Sequence, residues 1–390
     1  MVYRKFSSKI KFKPSALGYG LMRLPINEDH SINADEAIKI VRLAIDNGVN
    51  YLDTAYMYHG GESEKIAAEI LKDGYRAKVK IATKFPMWNL KEEADLDRIF
   101  FEQREKLQVQ KIDFYLLHAL GKNSLATIKK FNMIAWLEKK KKEGYIDYIG
   151  FSFHDHLTYF KKIIDFYHWD FCMVQFNVVD QARQAGIAGI KYAHQKGVGV
   201  IAMEPLRGGQ LTTSIPSDIN QLWEAMAKLY GDKIPNPPKY LLDWVWNFKE
   251  IAFLNSGMSN MEQVQSNLAT AKKAKINKLT KKQLTLFNKI KKAYLAKTVV
   301  NCTKCDYCKM CPQKIAIPYI FEQYNEIKRF ENQTTPTFRY HFLGENERAN
   351  QCTACRACVA LCPQKIDIPV VLQKCSAVFD RKEKFDFSAH

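Results

Sequence analysis

Eight of the ten cysteines lie in two short runs near the C-terminal end of the 390-residue chain. Each run reads Cys-x2-Cys-x2-Cys and ends in a fourth Cys that directly precedes a proline. Soft thiolates at this spacing are typical of [4Fe–4S] clusters, in which the fourth Cys of one run ligates the other cluster. We therefore predict two [4Fe–4S] clusters, whose ligands are Cys302, Cys305, Cys308, Cys311, Cys352, Cys355, Cys358 and Cys362.

Zinc is the alternative metal, because closely spaced cysteine pairs also form structural zinc sites. Two complete runs that both end in Cys-Pro favour the iron–sulfur interpretation. The first run departs from the common pattern, since two residues and not three separate Cys308 from Cys311. Cys375 is therefore an alternative to Cys311 as a ligand, whereas Cys172 lies in an apolar segment and is interpreted as a buried side chain.

Polar side chains that suit proton transfer follow three short apolar segments earlier in the chain. Asp53 ends the second segment with Tyr58 just beyond it, Lys84 ends the third, and His118 ends the fourth. A tyrosine has an ordinary pKa of about 10, which is too high for efficient acid–base work near neutrality. A neighbouring lysine favours the phenolate, and an aspartate keeps that lysine charged. The four residues together indicate proton transfer to a carbonyl oxygen.

Short apolar segments alternate with amphipathic helical patterns from about residue 16 to residue 270, which indicates βα units and a parallel sheet. Eight such strands in about 255 residues predict a closed (β/α)8 TIM barrel, with the polar strand ends at one mouth. No Gly-x-Gly-x-x-Gly follows the first strand, which disfavours an open dinucleotide-binding sheet. The predicted strands are Ala16–Gly20, Asn50–Asp53, Lys78–Thr83, Asp113–Leu117, Tyr148–Phe151, Phe171–Gln175, Gly197–Met203 and Ile251–Leu254.

The predicted fold class is α/β, a TIM barrel followed by a small, mainly helical iron–sulfur domain. We expect the barrel over residues 1–275, a bridging helix over 276–298 and the dicluster domain over 299–390. A single helix is expected over Ser124–Lys142, and another over Ile315–Arg329 between the two cysteine runs.

The chain carries a formal charge of +18, and residues 267–300 contain ten Lys and no Asp or Glu. A basic surface attracts anionic cofactors, nucleic acid or an acidic redox carrier such as a ferredoxin or flavodoxin, but a solvated helix face is the simpler interpretation of these lysines. No nucleic-acid-binding motif accompanies the lysines, so we expect no nucleic-acid partner. No apolar stretch is long enough to span a membrane, and no signal peptide is recognisable, which predicts a cytoplasmic protein.

Several motifs resemble the aldo–keto reductase family over roughly residues 16–270. With the appended cysteines, the chain is similar to the iron–sulfur branch of that family, found mainly in anaerobic microbes. The resemblance implies that Tyr58 donates a proton, that Lys84 and Asp53 tune it, and that His118 orients the substrate carbonyl. The motifs are Asp53-Thr54-Ala55 with Tyr58, Gly61-Glu62-Ser63-Glu64, Lys84, His118, Gly150-Phe151-Ser152, Gln175-Phe176-Asn177 and Glu204-Pro205-Leu206-Arg207-Gly208-Gly209.

The resemblance also implies that NADP or NAD binds across the barrel mouth. Ser152 and Gln175 would hold the nicotinamide, the loop Pro205–Leu211 would cover the diphosphate, and Ser256–Asn267 would receive the adenine ribose. Only Glu262 is charged within residues 257–263, where NADPH-selective members have Lys or Arg, so the choice of nucleotide stays open. The implied cofactor contacts are Gly20, Met22, Ser152, Gln175, Pro205, Leu206, Gly208, Leu211, Ser256, Gly257, Ser259, Gln263 and Asn267.

These observations predict an oxidoreductase that reduces, or in reverse oxidises, a small carbonyl or alcohol substrate with NAD(P)H. In a second hypothesis the protein transfers electrons between a nicotinamide or substrate radical and a ferredoxin. In a third, the clusters only stabilise the fold. A nicotinamide gives two electrons as a hydride and a cluster takes one, and no flavin signature is recognisable to connect them. His59 and Trp88 are further candidates for the substrate pocket.

Overall fold

The computed structural model describes residues 1–213, 215–302, 307–362 and 364–387. Eight parallel strands form a closed barrel in chain order, and β8 pairs with β1 to complete it. The predicted (β/α)8 barrel is therefore confirmed. The strands are β1 Leu17–Gly20, β2 Tyr51–Asp53, β3 Lys80–Phe85, β4 Ile112–Leu120, β5 Ile146–Phe153, β6 Phe171–Gln175, β7 Gly199–Met203 and β8 Phe253–Ser256.

Helices of the described residues follow the strands and continue beyond the barrel. No helix in the described part of the chain is long and apolar enough to cross a membrane. The helices are α1 Ala34–Asp46, α2 Ser63–Leu71, α3 Tyr75–Lys78, α4 Ala94–Leu107, α5 Ser124–Lys130, α6 Met133–Lys142, α7 Leu157–Phe166, α8 Gly186–Gln195, α9 Gln210–Thr213, α10 Ser217–Tyr230, α11 Pro237–Trp246, α12 Met261–Ala271, α13 Lys281–Ala296, α14 Ile317–Phe330, α15 Thr334–Tyr340, α16 Ala357–Ala360 and α17 Ile368–Phe379.

The N-terminal segment closes the end of the barrel where the strands begin. An antiparallel bridge between Tyr3 and Ser15 folds this segment back on itself. Phe6 is buried, and its ring centroid lies 5.5 Å from that of Phe114 and 5.3 Å from that of Phe253. Because aromatic rings fill this end, the carboxyl ends of the strands form the open mouth.

The chain divides into two compact units, Met1–Gly208 with Pro237–Thr280, and Gly209–Asn236 with Lys281–His390. The first contains the barrel, and the second contains α9, α10 and all the described helices from α13 onward. The predicted boundaries at residues 275 and 298 stay a prediction. Helix α13 begins and ends inside the range predicted for the bridging helix, at Lys281 and Ala296.

The last cysteine of each run begins an internal repeat, Cys-Pro-Gln-Lys-Ile-x-Ile-Pro, which starts at Cys311 and again at Cys362. In both copies the lysine has a left-handed backbone, with φ 57° at Lys314 and 52° at Lys365. Its amide donates to the carbonyl of the cysteine, over 2.9 Å at Cys311 and 3.0 Å at Cys362. Each copy then starts a helix, α14 or α17, with a proline in its first turn.

The prediction of a single helix over Ser124–Lys142 is wrong. Helix α5 ends at Lys130, and α6 begins at Met133. Asn132 between them has φ 46°, a left-handed conformation that asparagine tolerates better than most residues. The helix predicted over Ile315–Arg329 is present as α14, which begins two residues later, at Ile317.

Candidate active site and cysteine module

Strand periodicity explains why three of the four predicted catalytic residues meet at the barrel mouth. Tyr51, Ala82 and Leu116 belong to the core inside the barrel. Asp53, Lys84 and His118 each lie two residues further along the same strands, and residues two apart share one face of a strand. Strands β2, β3 and β4 are neighbours in the barrel, so the three side chains converge.

Lys84 is the centre of the candidate active site. Its Nζ donates to Asp53 Oδ2 and to the Thr54 carbonyl, each over 2.7 Å, and to Tyr58 Oη over 3.1 Å. The lysine side chain is only 1% exposed and that of Asp53 7%. A buried ammonium with three oxygen acceptors is fully hydrogen-bonded, which fixes the phenol beside it.

The loop after β2 turns Tyr58 toward this lysine. The Tyr58 amide donates to the Ala55 carbonyl over 3.1 Å, and the three following residues are left-handed, with φ 52° at His59, 65° at Gly60 and 98° at Gly61. The His59 ring accepts a hydrogen bond from the Leu24 amide over 3.2 Å. His59 thus supports the backbone after β1, and its place in the substrate pocket stays a prediction.

His118 faces Tyr58 and Trp88. Its ring centroid lies 6.1 Å from the Tyr58 ring, edge-on, and 5.1 Å from the Trp88 ring. Within the described residues, His118 Nδ1 is buried and has no hydrogen-bond partner. Burial, with the charges of Lys84 and His154, lowers the pKa of His118 well below its usual value, so the ring is neutral near pH 7.

Burial also decides the protonation of Tyr58. It raises the pKa of the Tyr58 hydroxyl above its ordinary value, and Lys84 only partly opposes this effect. Lys84 lowers the pKa of Tyr58, as predicted, but burial raises that pKa by more. Burial disfavours the charge on Lys84, yet Asp53 and Tyr58 together raise the pKa of the ammonium. The site therefore holds a neutral phenol beside a cation, which is an arrangement suited to proton donation.

A buried hydrogen-bond network behind β3 holds Lys84 in place. Gln103 donates to Glu64 Oε1 over 2.7 Å and to the Lys84 carbonyl over 3.1 Å, and Thr83 donates to the same Glu64 oxygen over 2.6 Å. Burial raises the pKa of Glu64. Glu64 and Gln103 were not predicted as site residues. In the sequence, Glu64 is indicated by its place in the motif Gly61-Glu62-Ser63-Glu64.

Ser152 and Gln175, the predicted nicotinamide contacts, lie at the carboxyl ends of β5 and β6. Ser152 Oγ accepts from the Ala119 amide over 2.8 Å, directly after His118. Gln175 donates to Asp180 over 2.7 Å and accepts from Gln184 over 2.7 Å. Both side chains are therefore fixed in orientation.

Asp180 connects Gln175 to the loop after β7. Its Oδ2 accepts from Asn177 and from Arg207, each over 2.9 Å, and the Arg207 side chain is fully buried. Arg207 and Gly208 have left-handed backbones, with φ 53° and 65°. The predicted contacts Pro205, Leu206 and Gly208 lie in this loop, whereas Leu211 lies in α9 of the second unit. Asp180 was not predicted as a site residue, and Arg207 was named only as part of the motif Glu204-Pro205-Leu206-Arg207-Gly208-Gly209.

The predicted ribose contacts lie at the end of β8 (Ser256), in the loop after it (Gly257 and Ser259) and in α12 (Gln263 and Asn267). Asn267 donates to Ser256 Oγ over 3.3 Å, and the Asn260 side chain caps the start of α12 by accepting from the Gln263 amide over 3.0 Å. Gly20 ends β1 next to this loop, where an added Cβ would lie 3.7 Å from the Ser256 carbonyl oxygen. Met22, in the turn after β1, is 56% exposed.

Arg23 lies between the loops after β7 and β8, and it was not predicted. A Cβ placed on Gly257 would lie 3.2 Å from Arg23 Cβ, and one placed on Gly208 would lie 2.6 Å from Arg23 Nη2. Ser259 Oγ donates to the Arg23 carbonyl over 2.9 Å. No sequence signal marks this arginine, because its neighbours are distant in the chain.

In the second unit, Cys311 lies among the cysteines of the second run. Burial raises the pKa of Cys358, and the thiols of Cys311, Cys352 and Cys355 raise it further. Among the described residues no three Cys, His, Asp or Glu side chains converge on a position for one metal ion. A cubane takes each thiolate at a different iron atom, so its ligands stand further apart than those of a single zinc ion.

The other end of the first run lies near the end of the second. Asn301, next to Cys302, donates to the side chain of Gln364, two residues beyond Cys362, over 3.5 Å. The Asn325 side chain of α14 bonds the backbone of Val299 and Val300 just before the run. Cys375 is fully buried on α17, and burial raises its pKa well above the usual value. The prediction for Cys305 lies outside the described residues.

Sequence comparison matches both parts of the chain. A profile described as the aldo/keto reductase family matches residues 16–292, and one described as a 4Fe-4S dicluster domain matches residues 301–366. L-galactose dehydrogenase from Arabidopsis thaliana is 29% identical over 286 residues, which cover 66% of this chain and 84% of that protein. Aflatoxin B1 aldehyde reductase member 2 from Rattus norvegicus is 24% identical, over 61% of this chain and 76% of that protein.

Among solved structures, the holo form of aldo-keto reductase AKR11C1 from Bacillus halodurans has a TM-score of 0.60 and 23% identity, covering 74% of this chain and 96% of that one. At this identity the likeness concerns the fold, and the fold is the same barrel. The family match spans most of the chain, including all four residues at the barrel mouth. The chain therefore belongs to the aldo/keto reductase family of NAD(P)H-dependent oxidoreductases and carries a C-terminal 4Fe-4S dicluster domain.

Proposed function

We propose that the protein reduces a small aldehyde or ketone, or oxidises the corresponding alcohol, through Asp53, Tyr58, Lys84 and His118. The observation that supports this most directly is the position of Lys84 Nζ, 3.1 Å from Tyr58 Oη and 2.7 Å from Asp53 Oδ2. A binding protein has no need of a buried cation that contacts a protonated phenol. A general acid for a carbonyl oxygen requires both groups.

NAD(P)H, when bound, supplies the hydride that reaches the carbonyl carbon. Tyr58 donates its proton to the carbonyl oxygen, and Lys84 stabilises the phenolate that is left. Asp53 holds Lys84 charged and directed at the phenol. The neutral His118 ring lies beside the Tyr58 ring, which suits it to hydrogen-bond the substrate oxygen and orient the carbonyl.

The rim residues fit a dinucleotide. Gly20, Gly208 and Gly257 leave the space beside Arg23 and the Ser256 carbonyl free of side chains. The amide groups of Gln175 and Gln184 are already ordered by Asp180 and by each other. We propose NADP or NAD as the cofactor, with Ser152 and Gln175 at the nicotinamide and the loops after β7 and β8 at the diphosphate and ribose.

Binding and turnover test this proposal separately. Protein purified without oxygen is titrated with NADPH and with NADH, while nucleotide fluorescence is followed. The same samples are then assayed with a panel of short aldehydes and ketones. We expect binding of at least one nucleotide and turnover that is lost in Tyr58→Phe. Binding without turnover of any carbonyl, in either direction, would contradict the assigned chemistry.

We also propose that the second unit binds two [4Fe–4S] clusters, with the last cysteine of each run crossing to the other cluster. Cys311 lies among Cys352, Cys355 and Cys358, which supports one half of this exchange. The contact of Asn301 with Gln364 supports the other half. Iron and acid-labile sulfide analysis of oxygen-free protein tests the number of clusters.

A second candidate function, electron exchange with an acidic carrier protein, is supported by the charges of α13. Lys281, Lys289 and Lys292 are exposed on this helix, and they form no ion pair within the described residues. Cys355 is also exposed, so one thiolate of the second run reaches the surface. Oppositely charged surfaces accelerate association, and salt weakens the attraction.

The test is reduction of the clusters by a low-potential ferredoxin at low and at high salt. We expect faster reduction at low salt, and a smaller salt effect in the double variant Lys289→Glu/Lys292→Glu. Lys39→Glu/Lys65→Glu on the barrel makes the same change of charge as a control. If ferredoxin reduces neither cluster at any ionic strength, the clusters have a structural role only.

A further inference from the structure

We infer that Arg23 binds the diphosphate of the dinucleotide and is the main cationic group in this part of the rim. The inference rests on the proposed function, because it names how the same site recognises its cofactor. Arg23 lies in a short 3-10 turn, Leu21–Arg23, directly after β1. It therefore starts at the carboxyl end of a barrel strand, where ligands of such barrels bind.

The Arg23 side chain lies against two glycines, one in the loop after β8 and one in the loop after β7. Its stem packs along Gly257, where an added Cβ would lie 3.2 Å from Arg23 Cβ and 3.4 Å from Cδ. Its guanidinium reaches Gly208, where an added Cβ would lie 2.6 Å from Nη2 and 3.3 Å from Cζ. The guanidinium thus lies beside the loop after β7, between it and the loop after β8.

The charge of Arg23 is available to a ligand. Its side chain is exposed, and within the described residues no carboxylate pairs with it. The other arginine of this region, Arg207, is fully buried and already bonded to Asp180. The start of α12 contributes only the acidic Glu262. An anion bound between these loops would therefore meet Arg23 as its cationic partner.

The backbone that carries Arg23 is held from three directions. Ser63 donates to the Leu21 carbonyl over 3.0 Å, Ser259 donates to the Arg23 carbonyl over 2.9 Å, and the Leu24 amide donates to His59 over 3.2 Å. A side chain on a fixed backbone loses less conformational freedom when it binds a ligand. These contacts also connect the arginine to the loop that presents Tyr58.

A guanidinium suits a diphosphate because its planar donors bond two phosphate oxygens at once. The diphosphate is shared by NADH and NADPH, so Arg23 would strengthen the binding of both equally. A guanidinium on the 2′-phosphate would strengthen NADPH alone. The position beside Gly208, in the loop proposed to cover the diphosphate, favours the shared group.

The experiment measures dissociation constants of NADPH and NADH for the holoprotein and for Arg23→Met, by nucleotide fluorescence. We expect both constants to rise by the same factor, about tenfold or more, which is the effect of losing a charge-assisted hydrogen-bonded pair. We expect Arg23→Lys to recover part of the loss. Arg98→Met, an exposed arginine on α4, is the control and leaves both constants unchanged.

Three outcomes would overturn the inference. Equal affinities of the parent protein and Arg23→Met for both nucleotides exclude a role for Arg23 while leaving the proposed function intact. A loss confined to NADPH places Arg23 at the 2′-phosphate. If the parent protein binds neither nucleotide, the proposed function fails as well as the inference. An unchanged melting temperature of Arg23→Met shows that the comparison concerns folded protein.

Discussion

The ammonium nitrogen of Lys84, a buried residue, lies 3.1 Å from the hydroxyl oxygen of Tyr58, which is partly buried. Burial alone makes a phenol a weaker acid, and it raises the pKa of Tyr58. The nearby cation acts against this rise, and its effect grows as negative charge develops on the phenol oxygen. Burial thus keeps Tyr58 protonated in the resting protein, and Lys84 stabilises the phenolate once the proton has left.

The first prediction removes the hydroxyl of Tyr58. Tyr58→Phe should lower the rate of carbonyl reduction by ~10²-fold or more, which is typical of losing a general acid. Nucleotide affinity should change little, because the ring and its packing against His118 are retained. Steady-state assays with short aldehydes, together with nucleotide titration, measure both effects. Tyr56→Phe is the matched control, since Tyr56 bonds Glu102 and has no contact with Lys84. Full activity in Tyr58→Phe would refute the assignment.

The second prediction concerns Lys84. Lys84→Met should slow reduction at least tenfold, since the phenolate loses its neighbouring cation. In the oxidation direction Tyr58 must first lose its proton, so the rising limb of the pH–rate profile should move to higher pH. The direction follows from the sign of the lysine's effect, which lowers the pKa of Tyr58. A profile that does not move would show that Lys84 does not act on the phenol.

Lys84→Met should also destabilise the fold, because it leaves the Asp53 carboxylate buried without its partner. Breaking a buried ion pair at one end costs about 3–5 kcal/mol. Asp53→Asn/Lys84→Met should regain part of this free energy of unfolding but none of the activity. Chemical denaturation of the three proteins tests the stability, and turnover assays test the activity. Equal stability of the single and double variants would argue against a buried charge on Asp53.

Much of this site could be predicted from the sequence because it depends on local spacing. Asp53, Lys84 and His118 each lie at or near the carboxyl end of an apolar strand, and the two-residue period places them on the inner face. Tyr58 lies in the loop that follows β2, and Gly60 and Gly61 permit the left-handed turn just after it.

The partners that orient these residues were less predictable, because they meet only when the barrel closes. Arg23 contacts loops that follow β7 and β8, and Arg207 reaches Asp180 in the neighbouring loop, after β6. Gln103 is an ordinary polar residue in its helix until packing turns it toward Glu64 and Lys84. The protonation of Tyr58 was also hard to predict, since it depends on how completely the phenol is buried.

The third prediction is a pH dependence of stability. Burial holds the pKa of His118 well below that of the unfolded chain, which is about 6.5 for histidine. Below pH 6.5 the unfolded chain therefore binds a proton that the folded protein does not, and stability falls with falling pH until the folded pKa is reached. His118→Asn should remove a slope of up to about 1.4 kcal/mol per pH unit from this range.

Urea denaturation between pH 7.5 and pH 5, roughly the window on either side of the histidine pKa, measures this difference. His30→Asn is the control, because His30 is exposed and its left-handed backbone, with φ 67°, suits asparagine. A parent protein and His118→Asn with identical slopes would mean that His118 is protonated equally in both states.

The fourth prediction tests the exchange of ligands between the cysteine runs. Cys311→Ser should disturb the cluster held by Cys352, Cys355 and Cys358, because Cys311 lies among these thiols. Cys362→Ser should instead disturb the cluster of the first run. Oxygen-free parent protein should contain about eight iron atoms per chain, and electron paramagnetic resonance should distinguish which cluster each variant loses. Cys375→Ala, a buried thiol on α17, should keep all its iron. If Cys311→Ser altered only the first-run cluster, each run would supply all four ligands of its own cluster. A parent protein that contained about one zinc ion per run would exclude the clusters altogether.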